Sequence, residues 1–543
     1  MEKIYAADYN IHPEHDVTTE LSSLLNDLRK IEKQKTVIFE KGTYYIDGEK
    51  CEKHKLVITN TVGKKEFEPE ETPHINAVPF YFEGISNLVF DANNSVFVID
   101  GKVTNIALEN CKNVELKNLE IRHVAPDMHE LKVVDKRLCS VDFEIDAESR
   151  YIVENKELVF LGKDYKAVSD KKAKRANWIG LIREETPEKI ERVLHPLSSS
   201  CRVADIGNNR IRAVYPATFR FKKGDRFYVY DVRRQYAGIF VNKCRNVSLK
   251  SISQRFNYSL ALVAQDTENI DAEDLVFAPE DGSPRKMASV ADFIQLCMCR
   301  GKVSVRNSVF DGAGDDCLNV HGVHFKIVDK TETEITVRFM HPQTFGFNPL
   351  RSGDTVAFID PKTLLEKGQT VIENSEMIDE YNIKLTLRKT DDAVVGDVIE
   401  DVSACPELDF ENNILKKIIT RGLLITTRGK VKIKNNRFVS TSMSSILLSD
   451  DAKSWFESGM CRDVTIENNI IDYCGQTPIL IKPENTVYEG AVHKNIKIIG
   501  NEFKDFLGFC VSAESTDEIL MKGNKLPGDK KIKAKNCNNV SVD

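Results

Sequence analysis

The sequence predicts an all-β protein, a parallel β-helix carrying two inserted small β-barrel-like domains. Three observations carry that expectation. One short phrase recurs along the chain, its copies are spaced by about one coil, and two of the spacings are a whole domain too long. The phrase is an apolar strand, a small polar turn and another apolar residue. It reads Asn87-Leu-Val-Phe, Asn113-Val-Glu-Leu-Lys-Asn-Leu, Asn246-Val-Ser-Leu-Lys-Ser-Ile and Asn269-Ile-Asp-Ala-Glu-Asp-Leu. It returns as Lys302-Val-Ser-Val-Arg-Asn-Ser-Val-Phe, Lys430-Val-Lys-Ile-Lys-Asn-Asn-Arg-Phe, Asp463-Val-Thr-Ile-Glu-Asn-Asn-Ile-Ile and Asn495-Ile-Lys-Ile-Ile-Gly-Asn-Glu-Phe. Anchors at 88, 114, 247, 270, 303, 431, 464, 496 and 519 are 26, 133, 23, 33, 128, 33, 32 and 23 residues apart. The six short intervals suit one β-helix coil plus a variable loop, each coil stacking on the next to bury a continuous apolar interior. An ordinary β-sandwich would not repeat so regularly.

Each part follows in order. Residues 17–33 place Leu21, Leu24, Leu25, Leu28 and Ile31 at helical spacing, with Asp16 or Thr18 as the cap. Thr36-Val-Ile-Phe-Glu-Lys-Gly-Thr-Tyr-Tyr-Ile46 reads as two strands about a glycine turn. A helix and such a turn suit the covered end of a solenoid, so 1–122 is assigned to the cap and first coils. Residues 123–236 and 324–420 are the two insertions, each about 100 residues, a usual domain size. Both contain a Gly-Asp turn before a strand, Lys223-Gly-Asp-Arg-Phe and Ser352-Gly-Asp-Thr-Val. Residues 237–323 are the central coils with the candidate site, and 421–543 the C-terminal coils. Asn307, Asn435, Asn468 and Asn501 at the turns fit because Asn tolerates left-handed backbone and can ladder between coils.

Composition excludes some classes of function. The chain has 543 residues, a net charge of −7 and charges of both signs throughout. No clustered basic face suggests nucleic acid. The run Lys171–Lys172–Ala173–Lys174–Arg175 reads as a solvated loop. No apolar run approaches the ~18 residues a membrane span requires. The N-terminus lacks a signal-peptide pattern, which places the protein in the cytoplasm; a secreted or periplasmic chain trimmed of its signal would read the same. Thirteen scattered cysteines, among them Cys297, Cys299 and Cys317 in apolar strands, read as reduced buried thiols rather than a metal site. No cofactor is expected. The edges of the inserted barrels leave room for a homodimer.

The chemistry concentrates between the insertions, in Ala291-Asp-Phe-Ile-Gln-Leu-Cys-Met-Cys and Asp311-Gly-Ala-Gly-Asp-Asp-Cys-Leu-Asn-Val-His-Gly322. An offset of 24 residues stacks Ile294 on Leu318 and Leu296 on Val320, facing inward. Phe293, Gln295 and Cys297 then fall over Cys317, Asn319 and His321, on the outward face. Asp292 falls over Asp316, with Asp315 beside it. Strict alternation would turn Asp292 and Asp316 inward, which is costly for a charge; the bend expected at Gly312-Ala313-Gly314 would turn them out. Three close carboxyls repel, so at least one should keep a proton near neutrality while the others stay ionised. Glycoside hydrolysis needs that combination, an acid for the leaving oxygen and a base or nucleophile opposite. A turn cap and a calcium site are the plainer readings of an Asp-Asp pair. The third Asp in register, with Asn319 and His321 beside the pair, favours catalysis on a sugar.

At these residues the chain resembles glycoside hydrolase family 110, the α-1,3-galactosidases. The likeness lies in Ala291-Asp292, Cys299-Arg-Gly-Lys-Val303, Asp315-Asp316-Cys-Leu-Asn319-Val-His321-Gly322, Arg421-Gly-Leu-Leu-Ile-Thr-Thr-Arg-Gly-Lys-Val and Ser449-Asp-Asp-Ala-Lys-Ser-Trp455-Phe-Glu457-Ser-Gly459. It runs in order from about residue 17 to 503. It implies a right-handed β-helix with inserted barrels, and removal of a terminal α-1,3-linked galactose, as in blood group B or linear α-Gal glycans, with inversion and no metal. By the same resemblance Asp315 is the general acid, Asp292 and Asp316 activate water, and Trp455 and Glu457 lie near the sugar; the galactose-terminated oligosaccharide is the expected partner. Gln295 stands where the family pattern has a His, and Cys317-Leu318 where small residues are common.

Two other functions compete. A polygalacturonase-like pectin hydrolase would use Arg285, Lys286 and Arg300 for uronate carboxylates, but the Asn-Thr-Asp-Gly element of that group is absent. A non-catalytic carbohydrate-binding β-helix would not require three Asp in register. Arg285, with Gln295, Asn319 and His321, completes the expected substrate-binding set.

Overall fold

The computed structural model describes residues 2–61, 74–163, 166–168, 178–197, 201–230, 234–529 and 531–543. The run 171–175, expected to be a solvated loop, lies outside them. Two large sheets of 20 and 12 strands, parallel except for the short Glu457–Ser458 strand, run through the solenoid. The recurring anchors pair with one another across neighbouring coils. Leu88 pairs with Val114, Val114 with Val247, Val247 with Ile270, and Ile270 with Val303. The column continues through Leu408, Val431, Val464, Ile496 and Ile519. All are buried in one continuous apolar interior.

Leu408 corrects an expected boundary. Strand Glu407–Glu411 pairs with Arg300–Arg306 on one side and Val431–Lys434 on the other. The solenoid therefore resumes at Glu407, inside the stretch 324–420 assigned to the second insertion. Glu407-Leu-Asp-Phe-Glu-Asn-Asn is a further copy of the coil phrase, without the basic–Val start of its neighbours.

The N-terminal helix spans Thr18–Leu28 and buries Leu21, Leu24, Leu25 and Leu28. The N-cap position falls to Val17, not to Asp16 or Thr18 as expected; Asp16, one residue earlier, accepts from the backbone N of Thr18 at 3.1 Å and from its hydroxyl at 2.6 Å. The helix stops short of residue 33, and Ile31 still packs against the core. Among the described residues no helix is long and apolar enough to cross a membrane.

The Asn-Asn pairs at the turns divide their labour. The first members, Asn435 and Asn468, take left-handed backbone (φ 56 and 54°). The second members form a ladder: the buried Asn413, Asn436, Asn469 and Asn501 and the partly buried Asn524 are linked by side-chain amides at 2.9–3.2 Å. Asn501 belongs to this ladder, and Gly500 before it takes the left-handed position.

The first insertion is a seven-stranded antiparallel sheet plus a three-stranded one, with its own core around Phe143, Phe160, Ile211 and Phe227. The second contains a closed six-stranded barrel, from Phe325–Lys330 to Val398–Asp401, with a separate core.

Candidate functional site

The 24-residue register is present: Ile294 pairs with Leu318, Gln295 with Asn319, Leu296 with Val320 and Cys297 with His321. Alternation fails one step earlier, and this decides the site. Phe293 and Ile294 are consecutive, yet both sit in the solenoid interior, as do Cys317 and Leu318. Phe293 packs there against Phe277 and Phe310. The expectation that Phe293 and Cys317 face outward is thus corrected. The strand corner turns two successive side chains in, and so turns Asp292 and Asp316 out.

The Gly312-Ala-Gly314 run makes the corner fit. Gly312 has φ 87°, and a Cβ on Gly314 would lie 2.2 Å from the carbonyl oxygen of Val290 in the coil below. The coils meet backbone to backbone here. Asp316 N donates to Asp292 Oδ1 at 3.2 Å, and Phe293 N to the carbonyl of Asp316 at 3.0 Å.

Asp292, Asp315 and Asp316 line one pocket of about 450 Å³ together with Asn319, Trp455 and Glu457. The carboxyls differ in their partners. Asp316 accepts at Oδ1 from the Thr420 hydroxyl (2.6 Å), Arg421 N (3.0 Å) and Arg421 Nε (2.8 Å), and Arg421 Nη2 reaches Oδ2 at 2.8 Å. Asp315 forms an ion pair with Arg234 and is 23% exposed, against 2% for Asp316. Asp292, 3% exposed, has the backbone donor of Asp316 and lies beside two other carboxyls.

Their ionisation follows. Burial, with Asp315 and Asp316 adding to it, holds the Asp292 carboxyl well above its ordinary range despite Arg234 and Arg421. Burial also pushes Asp316 up, where Arg421 opposes it and Asp315 reinforces it. Burial would raise Asp315 as well, but Arg234, Arg421 and Arg192 together outweigh it and hold Asp315 below its ordinary range. The trio shares its protons unequally, with Asp292 the most strongly protonated.

The remaining expected residues fall into three places. Asn319 Nδ2 donates to Glu457 Oε1 at 3.0 Å, on the pocket wall. Glu457 is brought there because Glu457–Ser458 pairs antiparallel with Gly322 and Val323 at the end of the Leu318–Val323 strand. Trp455 stands at the rim, half exposed, stacked on His341 of the second insertion with ring centroids 4.5 Å apart. Its loop is wound around Asp451, whose carboxylate accepts from the backbone N of Lys453, Ser454 and Trp455.

Gln295 and His321 lie behind the pocket, not on its lining. His321 Nδ1 lies 2.8 Å from the Gly322 carbonyl, which assigns the proton to Nδ1 and leaves Nε2 to accept from Gln295 Nε2 at 3.2 Å. Gln295 Oε1 in turn accepts from Asn60 Nδ2 at 2.8 Å. The pair therefore orients Asn60 on the pocket wall. Gln295 and His321, expected to contact the sugar, are both buried and bonded to one another in this chain of bonds.

Arg285 is elsewhere. It binds Glu148 Oε2 at 2.8 and 3.0 Å and the Pro126 carbonyl, away from the pocket. Its expected substrate contact is corrected: the nearby acidic side chain of the first insertion holds it. Arg300 is buried between Asp354 and Asp401, fastening the second insertion to the solenoid. Lys286 is not on the pocket lining either.

Sequence reasoning missed Arg192, Arg234 and Asn60, which reach the pocket from outside the central coils. Arg421 had a signal. Leu423 pairs with Leu318, so Arg421 falls opposite Asp316.

Comparison with known proteins adds to this geometry. A family model described as GLAA-B beta-barrel domain II matches residues 334–399. The chain is 31% identical to α-1,3-galactosidase A of Bacteroides thetaiotaomicron over 93% of this chain and 90% of that protein. It is 29% identical to α-1,3-galactosidase A of Streptomyces avermitilis (95% and 86% covered) and 28% identical to α-1,3-galactosidase B of Bacteroides thetaiotaomicron (91% and 81%). Among solved structures it is similar to the Yersinia enterocolitica family 28 exopolygalacturonase, at 10% identity and a TM-score of 0.39 over 100% of this chain and 78% of that one.

Proposed function

The chain belongs to the family of the α-1,3-galactosidases, glycoside hydrolase family 110, and on that premise we propose that it is an exo-acting, inverting enzyme that releases terminal non-reducing α-1,3-linked galactose from glycans of the blood group B or linear α-Gal type. The observation that carries the reading is the meeting of Asp292, Asp315 and Asp316 in one pocket of about 450 Å³, the size of a small-ligand site.

Asp315 is the general acid. Its accessibility, greater than that of Asp316, supports this: the leaving oxygen must reach it. It protonates that oxygen as the bond to the galactose anomeric carbon breaks. Asp292 and Asp316 together activate the water that attacks the anomeric carbon from the opposite face, and Asp292 takes its proton. Arg421 and Thr420 fix the Asp316 carboxylate in one orientation. Trp455 offers an apolar face to the sugar, and Glu457 and Asn319 offer polar partners for its hydroxyls.

Charge argues against a uronate substrate. The lining holds six carboxyl residues, Asp292, Asp315, Asp316, Asp451, Glu457 and Glu484, and three guanidinium residues, Arg192, Arg234 and Arg421. Arg234 and Arg421 are already paired with carboxylates. A second anion would meet net repulsion; a neutral hexose would not.

The test is galactose release from p-nitrophenyl α-galactoside, linear Galα1,3Gal and the fucosylated blood group B trisaccharide. Galactose from at least one oligosaccharide is expected. None from either, at enzyme levels that hydrolyse a positive-control galactoside with a known enzyme, overturns the assignment, and glycan binding that survives Asp315→Asn without any turnover in the parent would favour a non-catalytic binding protein.

A further inference from the structure

Arg234 lies at the junction where the first insertion returns to the solenoid, three residues before strand Ala237–Asn242. Its guanidinium spans the pocket. Nη1 donates to Asn60 Oδ1 at 3.2 Å, and Nη2 is paired with the Asp315 carboxylate. Asn60 is itself pinned, by its side-chain bond to Gln295 and by its backbone N to the Gln343 carbonyl at 2.7 Å. The arginine therefore holds the carboxyl that the proposed reaction needs as its acid.

This resting arrangement is the reverse of the working one. The ion pair with Arg234 favours the carboxylate form of Asp315, and burial beside two carboxyls favours the protonated form of Asp292. Catalysis needs a proton on Asp315 and a free carboxylate opposite. The groups facing Asp315 are Arg234, Arg421, Arg192, Asp292, Asp316 and Tyr230. Of the three arginines, Arg421 is committed to Asp316 by its two bonds there, and Arg234 is the one bonded to Asp315.

We propose that Arg234 is a positioning residue for Asp315: paired with it before glycan binds, its guanidinium turns to a hydroxyl of the bound glycan, and the released Asp315 carboxylate accepts the proton held by Asp292. The inference rests on the reading of Asp315 as the acid. Its balance closes. The proton leaves Asp292 as Asp315 gains it, so the charge of the trio is unchanged. Asp315 then gives that proton to the leaving oxygen as the glycosidic bond breaks. Water forms the new bond at the anomeric carbon and gives its proton to Asp292. Asp315 is left ionised and Asp292 protonated, which is the resting state that Arg234 closes again.

The readout is the pH dependence of turnover of Galα1,3Gal. The high-pH limb of kcat/KM reports loss of the trio's proton from the free enzyme, where Asp292 holds it, and that of kcat reports its loss from the complex, where Asp315 holds it. In the parent enzyme the kcat limb should lie at higher pH than the kcat/KM limb, because Arg234 has let go. Arg234→Met should move the kcat/KM limb to higher pH by about 1 unit or more, the usual effect of losing an adjacent opposite charge. The two limbs then converge. Arg234→Lys, which keeps the charge, should leave the kcat/KM limb near that of the parent. If Arg234→Met does not fold, Asn60→Ala is used instead, and a shift of the same sign is expected as the guanidinium loses its anchor. Unmoved limbs in a folded variant overturn the inference.

Asp315→Asn separates the two possible failures. It should lose at least ~100-fold on Galα1,3Gal. On 2,4-dinitrophenyl α-galactoside, whose leaving group departs without a proton, most of that loss should vanish. If Asp315→Asn breaks this pattern, the assignment of Asp315 falls. If it keeps the pattern and the Arg234→Met limb stays in place, only the role of Arg234 falls.

Discussion

Carboxylates stack between coils in two regions of this solenoid, with opposite results. On the outer face of the long sheet, Asp91 pairs across coils with Lys117, Lys250 with Glu273, Arg306 with Glu411, and Glu411 with Lys434. Where two cations are neighbours, as Lys117 and Lys250 are, Glu115 lies between them at 3.3 and 2.8 Å. These groups are partly exposed, and each has a partner of opposite sign. At the corner of the other sheet Asp292 stacks directly on Asp316, with Asp315 adjacent, and the compensating arginines come from distant segments. The same architecture neutralises one column and leaves the other under-compensated. The second column has carboxyls of unlike proton affinity, which is what acid–base chemistry needs.

The comparison predicts a graded set of effects. Asp315→Asn should lower turnover of Galα1,3Gal by at least ~100-fold while the fold survives, measured by steady-state kinetics beside a melting curve. Near-parental turnover would put the pocket column on a par with the outer one. A third column, the buried Asn ladder, is neutral and fully bonded. Asn469→Ala leaves the Ile433 carbonyl and the Asn436 amide without their partners and should cost about 1–3 kcal/mol in denaturant titration, with little change in kcat.

Asp292→Asn should do the opposite to stability. A carboxyl whose folded-state affinity for protons is raised contributes stability that is complete below its unfolded value and is lost as pH rises through the folded one. Removing it should therefore stabilise the fold at pH 7 to 8, and by less at pH 4, while turnover is lost. A variant less stable than its parent at every pH would contradict the crowding of the pocket column. The smallest effect belongs outside: Glu115→Gln should change stability by less than about 1 kcal/mol, and that change should shrink further in high salt, with turnover untouched.

The fold was legible because its signal is periodic. Anchors from Leu88 to Ile519 could be read as one column, since each coil must present an apolar residue at the same place. The Leu408 coil escaped, because it follows a barrel of similar alternating strands. The site was legible only in part. Register placed Asp292 over Asp316, but alternation fails at a corner where Phe293 and Ile294 both turn inward, and corners depend on packing rather than on period. Gln295 and His321 were placed on the correct face, but what covers that face comes from Asn60 and Glu457. Arg234 is separated from Asp315 by 81 positions and belongs to no repeat, so no local pattern announces it.

The central claim is that the pocket carboxyls divide into an acid and a water-activating pair acting on a terminal α-1,3-galactoside. Proton NMR of Galα1,3Gal hydrolysis, recorded before mutarotation, tests it most directly. First-formed β-galactose is predicted; first-formed α-galactose, or none released, would contradict it.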